Sequence, residues 1–261
     1  PTTPWGVFLN PAFGYPPTPW GVFLNPASGY PPTPWGVPRV WLAPECIREL
    51  RQLVRHRDAF TRDRRSTKQR IGAVLRQHRV PAPPGVRRWT KAWIQWAASI
   101  QTIGEHSRWV IQEGLAHLAY LEARIRAVEA RLREATRADS MCERLMAMPG
   151  IGEVTAWVIR AEIGRFDRFR TGKQLARFCG LSPRNVSSGD RQAQAGIIKA
   201  GSPMLRAILI EAAHRLIRHS SRWAAMAARL RAAGKKTCVA VAAVANRWIR
   251  WLFNDMRPLA G

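Results

Sequence analysis

The sequence predicts an all-α protein in which a helical connector with a coiled coil precedes a compact helical domain containing a helix-hairpin-helix. Three observations carry this prediction. Apolar residues recur at helical spacing from Ile47 onward, a heptad pattern begins at Leu118, and a Pro-Gly turn near Gly150 separates two further helical segments. We therefore divide the chain into residues 1–40, 41–138 and 139–261.

The first segment, residues 1–40, is a tandem repeat with a period of 15 residues. The stretch Thr3–Ala12 recurs unchanged as Thr18–Ala27, and Thr33 begins a third copy. Each copy carries several prolines, which remove backbone donors and prevent helix formation, and the period is shorter than that of solenoid repeats. We expect this segment to be disordered. A tandem duplication of coding sequence is favoured over a Pro/Trp recognition strip.

Residues 41–138 are predicted to be an Arg-rich helical connector. Its first helical stretch ends at the Pro-rich segment 80–85, and its second runs from about Thr90 to Arg137. Within the second stretch, a seam of apolar residues alternates steps of three and four, as in a coiled coil: Leu118, Leu121, Ile125, Val128, Leu132 and Ala135. Because the seam is short, either a second chain or another helix of this chain could cover it. Self-association through residues 118–135 is slightly favoured.

Three tryptophans, Trp89, Trp93 and Trp96, follow Arg87 and Arg88 at helical spacing. Stacking on nucleic-acid bases is one interpretation of this pattern. A buried helix face is the favoured one.

The charge balance indicates the partner. Lys and Arg number 42 against 17 Asp and Glu, which gives a formal net charge of +25 on a chain that is 46% hydrophobic. Such a charge on a folded body predicts a polyanion as the partner. No uncharged apolar stretch reaches the length of a membrane helix, so no membrane association is expected. The four cysteines show no CxxC spacing and are expected to be buried thiols in the bacterial cytoplasm.

The turn Pro149, Gly150, Ile151 and Gly152 has the form of a helix-hairpin-helix element. Proline stops the first helix, the glycines permit a tight turn, and the second helix begins with free backbone N–H groups. Such a turn can bind a phosphate of DNA without reading base sequence. A simple corner between two helices is the alternative.

A polar turn further along contains Ser187 and Ser188 before a glycine, flanked by cations. A serine needs a base, a metal ion or neighbouring cations to act as a nucleophile, and the same cations would hold a phosphate. The cations are Arg184, Arg191, Lys199 and Arg206. Taken alone, Ser-Ser-Gly is typical of an ordinary loop.

The order and spacing of PGIG, SSG and KAG followed by LR, between Leu145 and Arg206, resemble the C-terminal domain of the insertion-sequence one-ten family of transposases. These are bridge-RNA-guided recombinases, and residues 41–137 are similar to their connecting helices. The resemblance implies a DNA transposase that recombines strands, with DNA and a structured guide RNA as partners. It implies that Ser188 joins covalently to a DNA strand end, with Ser187 as the fallback.

The sequence departs from the family pattern before the connector. Family members begin with a resolvase-like domain whose acidic side chains hold divalent metal ions, whereas here the repeat precedes the connector and the first acidic residue is Glu45. We therefore expect no cofactor in this chain, with magnesium bound only when the acidic domain is present. The favoured interpretation is a truncated transposase that is inactive on its own. A non-catalytic helix-hairpin-helix DNA-binding protein and a decayed gene fragment are the alternatives.

Overall fold

The computed structural model describes residues 41–185 and 194–256, and over these residues it has nine helices and one two-stranded sheet. The elements are α1 Glu45–Gln77, α2 Lys91–Ser99, α3 Glu105–Ala135, α4 Ser140–Met146, α5 Glu153–Ile163, α6 Gly172–Phe178, β1 Pro183–Asn185, β2 Gln194–Ile197, α7 Pro203–His219, α8 Ser221–Ala232 and α9 Thr237–Met256. The prediction of an all-α fold is confirmed. The chain divides after Leu42: of the first unit only residues 41 and 42 are described, and Ala43–Gly261 forms the second unit.

Helices α1 and α3 form a long antiparallel hairpin. A Cβ added to Gly114 of α3 would lie 2.8 Å from the Cγ1 atom of Ile71, and Arg57 pairs with Glu129 at 2.6 Å nearer the other end. The predicted seam is buried along this hairpin at Leu118, Leu121, Ile125, Val128 and Leu132. Helix α1 of the same chain therefore covers the seam in this structure, and this was the less favoured of the two possibilities. A second chain is not needed to bury it.

The prediction of one continuous helix over residues 90–137 is wrong, because residues 100–104 separate α2 from α3. Thr90 caps α2, with its Oγ1 atom accepting a hydrogen bond of 3.3 Å from the backbone N–H of Trp93. The connecting residues Ile100 and Ile103 are buried in a small apolar cluster with Trp93 and the ends of α1 and α3. Burial of Ile100 and Ile103 stabilises the connecting turn relative to a helix that continues through these residues. Trp93 is buried, as the interpretation of a buried helix face expected, whereas Trp89 and Trp96 are only half-buried.

Helices α4 to α9 surround a second and larger apolar core. Its fully buried members include Trp157, Phe166, Leu209 and Trp248. Helix α9 packs against α6, α7 and α8 and so lies at the centre of this part of the molecule. The same core includes Leu50 and Val54 of α1 together with Val128 and Leu132 of α3. The base of the α1/α3 hairpin is therefore continuous with the C-terminal core.

Polar contacts fix the hairpin base to α5. Arg55 of α1 donates a 3.0 Å hydrogen bond to the buried carboxylate of Glu162, and Arg51 donates one of 3.0 Å to the carbonyl oxygen of Ala161. A buried carboxylate is stable when it is paired in this way. Among the described residues, no helix has the length and apolar character required to cross a bilayer.

Candidate functional site

Helices α4 and α5 are held together by one aspartate at the start of α4. The Oδ1 atom of Asp139 accepts a 3.0 Å hydrogen bond from the backbone N–H of Cys142, which caps the helix. Its Oδ2 atom accepts a 2.6 Å hydrogen bond from the Nε atom of Arg160 on α5. This pair of hydrogen bonds connects the start of α4 to α5, the two helices that the turn joins.

The turn Pro149–Gly152 joins α4 to α5, and its two glycines have different surroundings. Gly150 has a φ of +82°, and a Cβ added there would lie 3.4 Å from the Cβ of Arg215 and 3.6 Å from the backbone nitrogen of Leu216 on α7. Gly152 has a φ of −100°, precedes α5, and would meet no atom within 4 Å. Ile151 is buried. Gly150 is thus required by the left-handed backbone, whereas Gly152 faces open space.

A carboxylate stands at the N-terminus of α5, where a phosphate was expected. The Oε1 and Oε2 atoms of Glu153 accept hydrogen bonds of 2.8 and 2.9 Å from Arg133 of α3. These hydrogen bonds with Arg133 hold the pKa of Glu153 below its ordinary value. The carboxylate suits the positive end of the helix dipole, and Arg133 offsets the repulsion that it would exert on a phosphate.

Arg215 is an exposed cation beside the turn, and sequence reasoning missed it. The side chain is exposed on α7 and begins against Gly150. It is separated from Gly150 by 65 positions in the sequence, so no local motif could have paired the two. Its only signal in the sequence is its place on the polar face of an amphipathic helix.

Two close backbone contacts fix the base of the β1/β2 hairpin. Gly180 has a φ of +69°, and a Cβ there would lie 2.3 Å from the carbonyl oxygen of Ala200. Gly201 has a φ of +77°, and a Cβ there would lie 2.1 Å from the carbonyl oxygen of Phe178. No other residue fits either position without displacement of the backbone.

Further hydrogen bonds hold the two ends of this hairpin. The backbone N–H of Ile198 donates to the carbonyl oxygen of Ser182 at 2.8 Å. The side-chain amide of Asn246, on the central helix α9, donates to the carbonyl oxygen of Leu181 at 3.1 Å. The strands pair antiparallel, with Pro183 opposite Ile197. The ends of the hairpin are therefore attached to the core of the domain.

Three of the predicted phosphate ligands lie near this base. Arg184 is exposed on β1 and Lys199 is exposed just after β2. Arg206, in the first turn of α7, donates a 3.2 Å hydrogen bond to the carbonyl oxygen of Ala200. The predicted residues Ser187, Ser188 and Arg191 lie outside the described residues.

The turn and the hairpin base are separate sites joined by α7. The hairpin base contacts Arg206, and the turn contacts Arg215, nine positions further along the same helix. At 1.5 Å per residue these contacts are about 14 Å apart along the helix axis. Nine residues at about 100° each also turn the helix by about 180°, so the two contacts lie on opposite sides of α7 and one phosphate does not touch both.

Cys142 and Cys179 are buried as expected, whereas Cys46 and Cys238 are exposed, so the prediction of four buried cysteines is wrong for two of them. The two buried cysteines are unsuited to catalysis. Burial raises the pKa of Cys142 to about 12, with Asp139 acting in the same direction. Burial also raises the pKa of Cys179 to about 12, although the neighbouring Arg168 opposes this shift. Both thiols stay protonated near neutral pH, and a thiol is a poor nucleophile and metal ligand. Over residues 41–185 and 194–256, no three His, Cys, Asp or Glu side chains are grouped to bind a metal ion.

Residues 142–228 match the family described as "Transposase IS116/IS110/IS902 family". The chain is 30% identical over 173 residues to the transposase for insertion sequence element IS1111A of Coxiella burnetii, which covers 66% of this chain and 47% of that protein. It is 38% identical over 109 residues to a "probable family 20 transposase" of Pseudomonas aeruginosa, covering 42% and 32% of the two chains. It is 27% identical over 164 residues to the transposase for IS1328 of Yersinia enterocolitica, covering 62% and 48%. The chain spans less than half the length of each of these relatives.

Proposed function

The chain belongs, through residues 142–228, to the IS116/IS110/IS902 family of transposases, and we propose that it is the DNA-binding and strand-joining part of such an enzyme. The proposal places its action at the bacterial nucleoid, where the substrate DNA lies. Both candidate sites, the Pro149–Gly152 turn and the β1/β2 hairpin, fall inside the matched residues.

DNA binding is assigned to the turn, to Arg215 and to the cations at the hairpin base. The open space at Gly152 allows a phosphate to approach the backbone N–H groups at the start of α5. Exposed cations at Arg215, Arg184 and Lys199 supply the sequence-independent attraction that dominates DNA affinity.

Strand joining is assigned to Ser188, which lies in the sequence between the two paired strands β1 and β2. In this step the Ser188 Oγ atom gives up its proton and forms a bond to the phosphorus of a DNA phosphodiester. The bond from phosphorus to one sugar oxygen breaks, and that oxygen leaves as a hydroxyl after taking up a proton. One phosphodiester replaces another, so the reaction needs no oxidant and no external energy source.

The observation that carries the proposal is the fixed base of the β1/β2 hairpin. The glycine contacts at Gly180 and Gly201 cost conformational freedom, and they hold two strand ends rather than a larger core. Catalysis of strand transfer depends on such positioning of the attacking group. Ser187 remains the fallback nucleophile.

We propose that another part of the complete enzyme holds divalent metal ions. The described residues do not provide a carboxylate cluster that fits magnesium, which prefers oxygen ligands. We propose that magnesium accompanies an acidic domain and that this chain alone does not join DNA. A structured guide RNA is proposed as a further partner on the resemblance to the family. Self-association is proposed on the heptad spacing of residues 118–135.

The experiment is a test for a covalent protein–DNA adduct. The chain is mixed with the acidic domain of a family member, magnesium and labelled DNA, and the adduct is detected on a denaturing gel. We expect an adduct from the wild type and from Ser187→Ala, but none from Ser188→Ala, with DNA affinity unchanged in all three. Formation of the adduct by Ser188→Ala would contradict the assignment of the nucleophile.

A non-catalytic DNA-binding protein is the second candidate function, favoured by the open turn at Gly152. Gly152→Val places a branched side chain where a phosphate would approach, and we expect weaker DNA binding with an unchanged circular dichroism spectrum. Gly152→Ser is the matched control, since serine caps α5 well and is small. If Gly152→Val weakens DNA binding while no adduct forms under any of the conditions above, the non-catalytic function is supported.

A further inference from the structure

A basic cleft lies on α1 beside the segment that leads into α2, outside the residues that match the transposase family. Its volume is about 420 Å³, which is in the size range of small-ligand sites. The side chains around it include five cations and one aromatic ring, and none of its lining residues is acidic: Arg64, Arg65, Lys68, Arg76, Arg88 and Trp89. We call this set the basic cleft.

The cations of the basic cleft have no carboxylate ion-pair partner in the part of the chain that the structure describes, unlike three other arginines of α1. Arg55, Arg57 and Arg62 each form an ion pair with a carboxylate. Among the ion pairs of the described residues, none involves a cation of the basic cleft. Like charges in a shared cavity repel each other, so a bound anion would relieve this repulsion.

The pKa of Lys68 is lowered, which agrees with an excess of positive charge in the cleft. Partial burial lowers its pKa, and the nearby guanidinium of Arg64 acts in the same direction. The carboxylate of Glu122 on α3 opposes both effects but does not line the cleft. Of the described residues, Glu122 is therefore the one carboxylate that acts on the pKa of Lys68, whereas five cations line the cleft.

Trp89 fixes one wall of the cleft. The ammonium group of Lys68 lies 5.2 Å from the centre of the Trp89 ring, which holds the cation over the aromatic face. Trp89 has a φ of +66°, a left-handed conformation that is rare for a large side chain. Such a conformation persists only where the surroundings impose it, and it is often found at binding sites.

A buried donor lies behind the same wall. A small cavity of about 30 Å³ shares Gly72, Arg76, Arg88 and Trp89 with the basic cleft and extends to Trp93. The Nε1–H group of Trp93 is buried and has no hydrogen-bond acceptor among the described residues. Buried donors are nearly always satisfied. The cavity has room for about one water molecule, which could connect this donor to a ligand in the cleft.

We propose that the basic cleft binds the phosphodiester backbone of a single-stranded nucleic acid. Closely spaced arginines and a lysine without carboxylates are the chemistry that recognises successive phosphates. A volume of 420 Å³ corresponds to a sphere about 9 Å across. A duplex is wider than its major groove, which is itself about 12 Å wide. The cleft therefore accommodates one strand and is too narrow to enclose a duplex.

The cleft is a second nucleic-acid site, remote from the first. Gly72 on its floor lies 18 residues beyond Val54, which belongs to the C-terminal core, and this corresponds to about 27 Å along α1. The proposal does not rest on serine chemistry. Strand binding by the cleft can fail while adduct formation at Ser188 succeeds, and the reverse is equally possible.

The first test compares two triple variants of the full chain that lose equal charge. The cleft triple is Arg65→Gln, Lys68→Gln and Arg88→Gln. The control triple is Arg124→Gln, Arg126→Gln and Arg131→Gln, at exposed positions of α3. Binding of short single-stranded DNA, single-stranded RNA and duplex DNA is measured by fluorescence anisotropy over a range of salt concentrations.

For single strands, we expect the slope of log K against log salt to fall by about 2 in the cleft triple, at about 0.7 per phosphate contact, and by less than half of that in the control triple. The same loss on DNA and RNA supports recognition of the shared phosphodiester, and a larger loss on RNA supports an RNA strand as the natural ligand. Equal losses in the two triples, or a loss confined to duplex DNA, would overturn the proposal.

The second test blocks the cleft without changing its charge. Gly72 is helical, and the nearest atom to a Cβ added there is the Nη1 atom of Arg76 at 3.4 Å, the end of a flexible side chain. Gly72→Leu therefore fills the floor of the cleft, and Gly72→Ala is the control that leaves room. We expect at least tenfold weaker single-strand binding for Gly72→Leu only, with helical content retained in both. Wild-type affinity in a folded Gly72→Leu protein would refute the site.

Discussion

Gly201→Ala is expected to destabilise the protein far more than Gly196→Ala, although both glycines have a left-handed backbone. Their φ angles are +77° and +70°. An added Cβ would lie 2.1 Å from the carbonyl oxygen of Phe178 at Gly201, but would meet nothing within 4 Å at Gly196. The pair therefore separates the cost of the backbone conformation from the cost of the close contact.

The magnitudes follow from these surroundings. For Gly196→Ala only the left-handed conformation contributes, and we expect about 1–2 kcal/mol. For Gly201→Ala the backbone must also shift by about 1.3 Å to restore an ordinary contact. Such a shift would disturb the hydrogen bonds from Ile198 to Ser182 and from Asn246 to Leu181, at about 1 kcal/mol each. The total is about 3–4 kcal/mol.

Thermal unfolding followed by circular dichroism is the assay. At about 2–4 °C per kcal/mol for a domain of this size, we expect Tm to fall by about 2–8 °C for Gly196→Ala and by about 6–16 °C for Gly201→Ala. Gly234→Ala, with a φ of +74° and no atom within 4 Å, should match Gly196→Ala. Equal losses at Gly201 and Gly196 would show that the backbone does not cross closely at the hairpin base.

Three further predictions concern the α1/α3 hairpin, the turn and the buried thiols. Leu121→Asp combined with Val128→Asp should reduce helical content, because both positions are buried within one chain; unchanged helicity with a halved mass in sedimentation would instead indicate a seam between chains. Arg215→Gln should weaken duplex DNA binding several-fold more than Arg218→Gln, an equally exposed cation of α7, and equal effects would remove Arg215 from the site. The folded pKa of Cys142, about 12, exceeds the ordinary value of 9.0, so the stability it contributes is complete below pH 9 and is lost as the pH rises towards 12. The decline of Tm over this interval should be shallower in Cys142→Ala, and an equal decline would contradict the shift.

The helices and the seam could be predicted because their signals are local. Heptad spacing identifies buried positions whichever helix covers them, so Leu118 to Leu132 were found without knowledge of α1. The break at residues 100–104 was missed because no proline marks it. It depends on the burial of Ile100 and Ile103 in a cluster formed by three helices, and helical periodicity does not report such packing.

The candidate sites were predictable only in part, and for the same reason. The Pro149–Gly152 turn is a contiguous motif, so its place between two helices followed from the sequence. The role of Gly150 in packing on α7 and the nearness of Arg215 depend on residues 65 positions away. The basic cleft likewise joins α1 to the segment before α2, and neither half is distinctive in an Arg-rich sequence.

The base of the α1/α3 hairpin is packed in the C-terminal core, so the lengths of the two helices determine how far the hairpin extends and which way its outer end faces. We call the part of the hairpin beyond this core the arm. Helix α1 has 33 residues and is about 50 Å long, and its first turns are anchored by Leu50 and Val54. Inserting seven residues into each helix beyond the anchored part would extend the arm by about 10 Å and keep its far end facing nearly the same direction. Inserting two in each would turn that end by about 200°, since each residue advances a helix by about 100°. The arm therefore sets both the reach and the facing direction of whatever its far end holds.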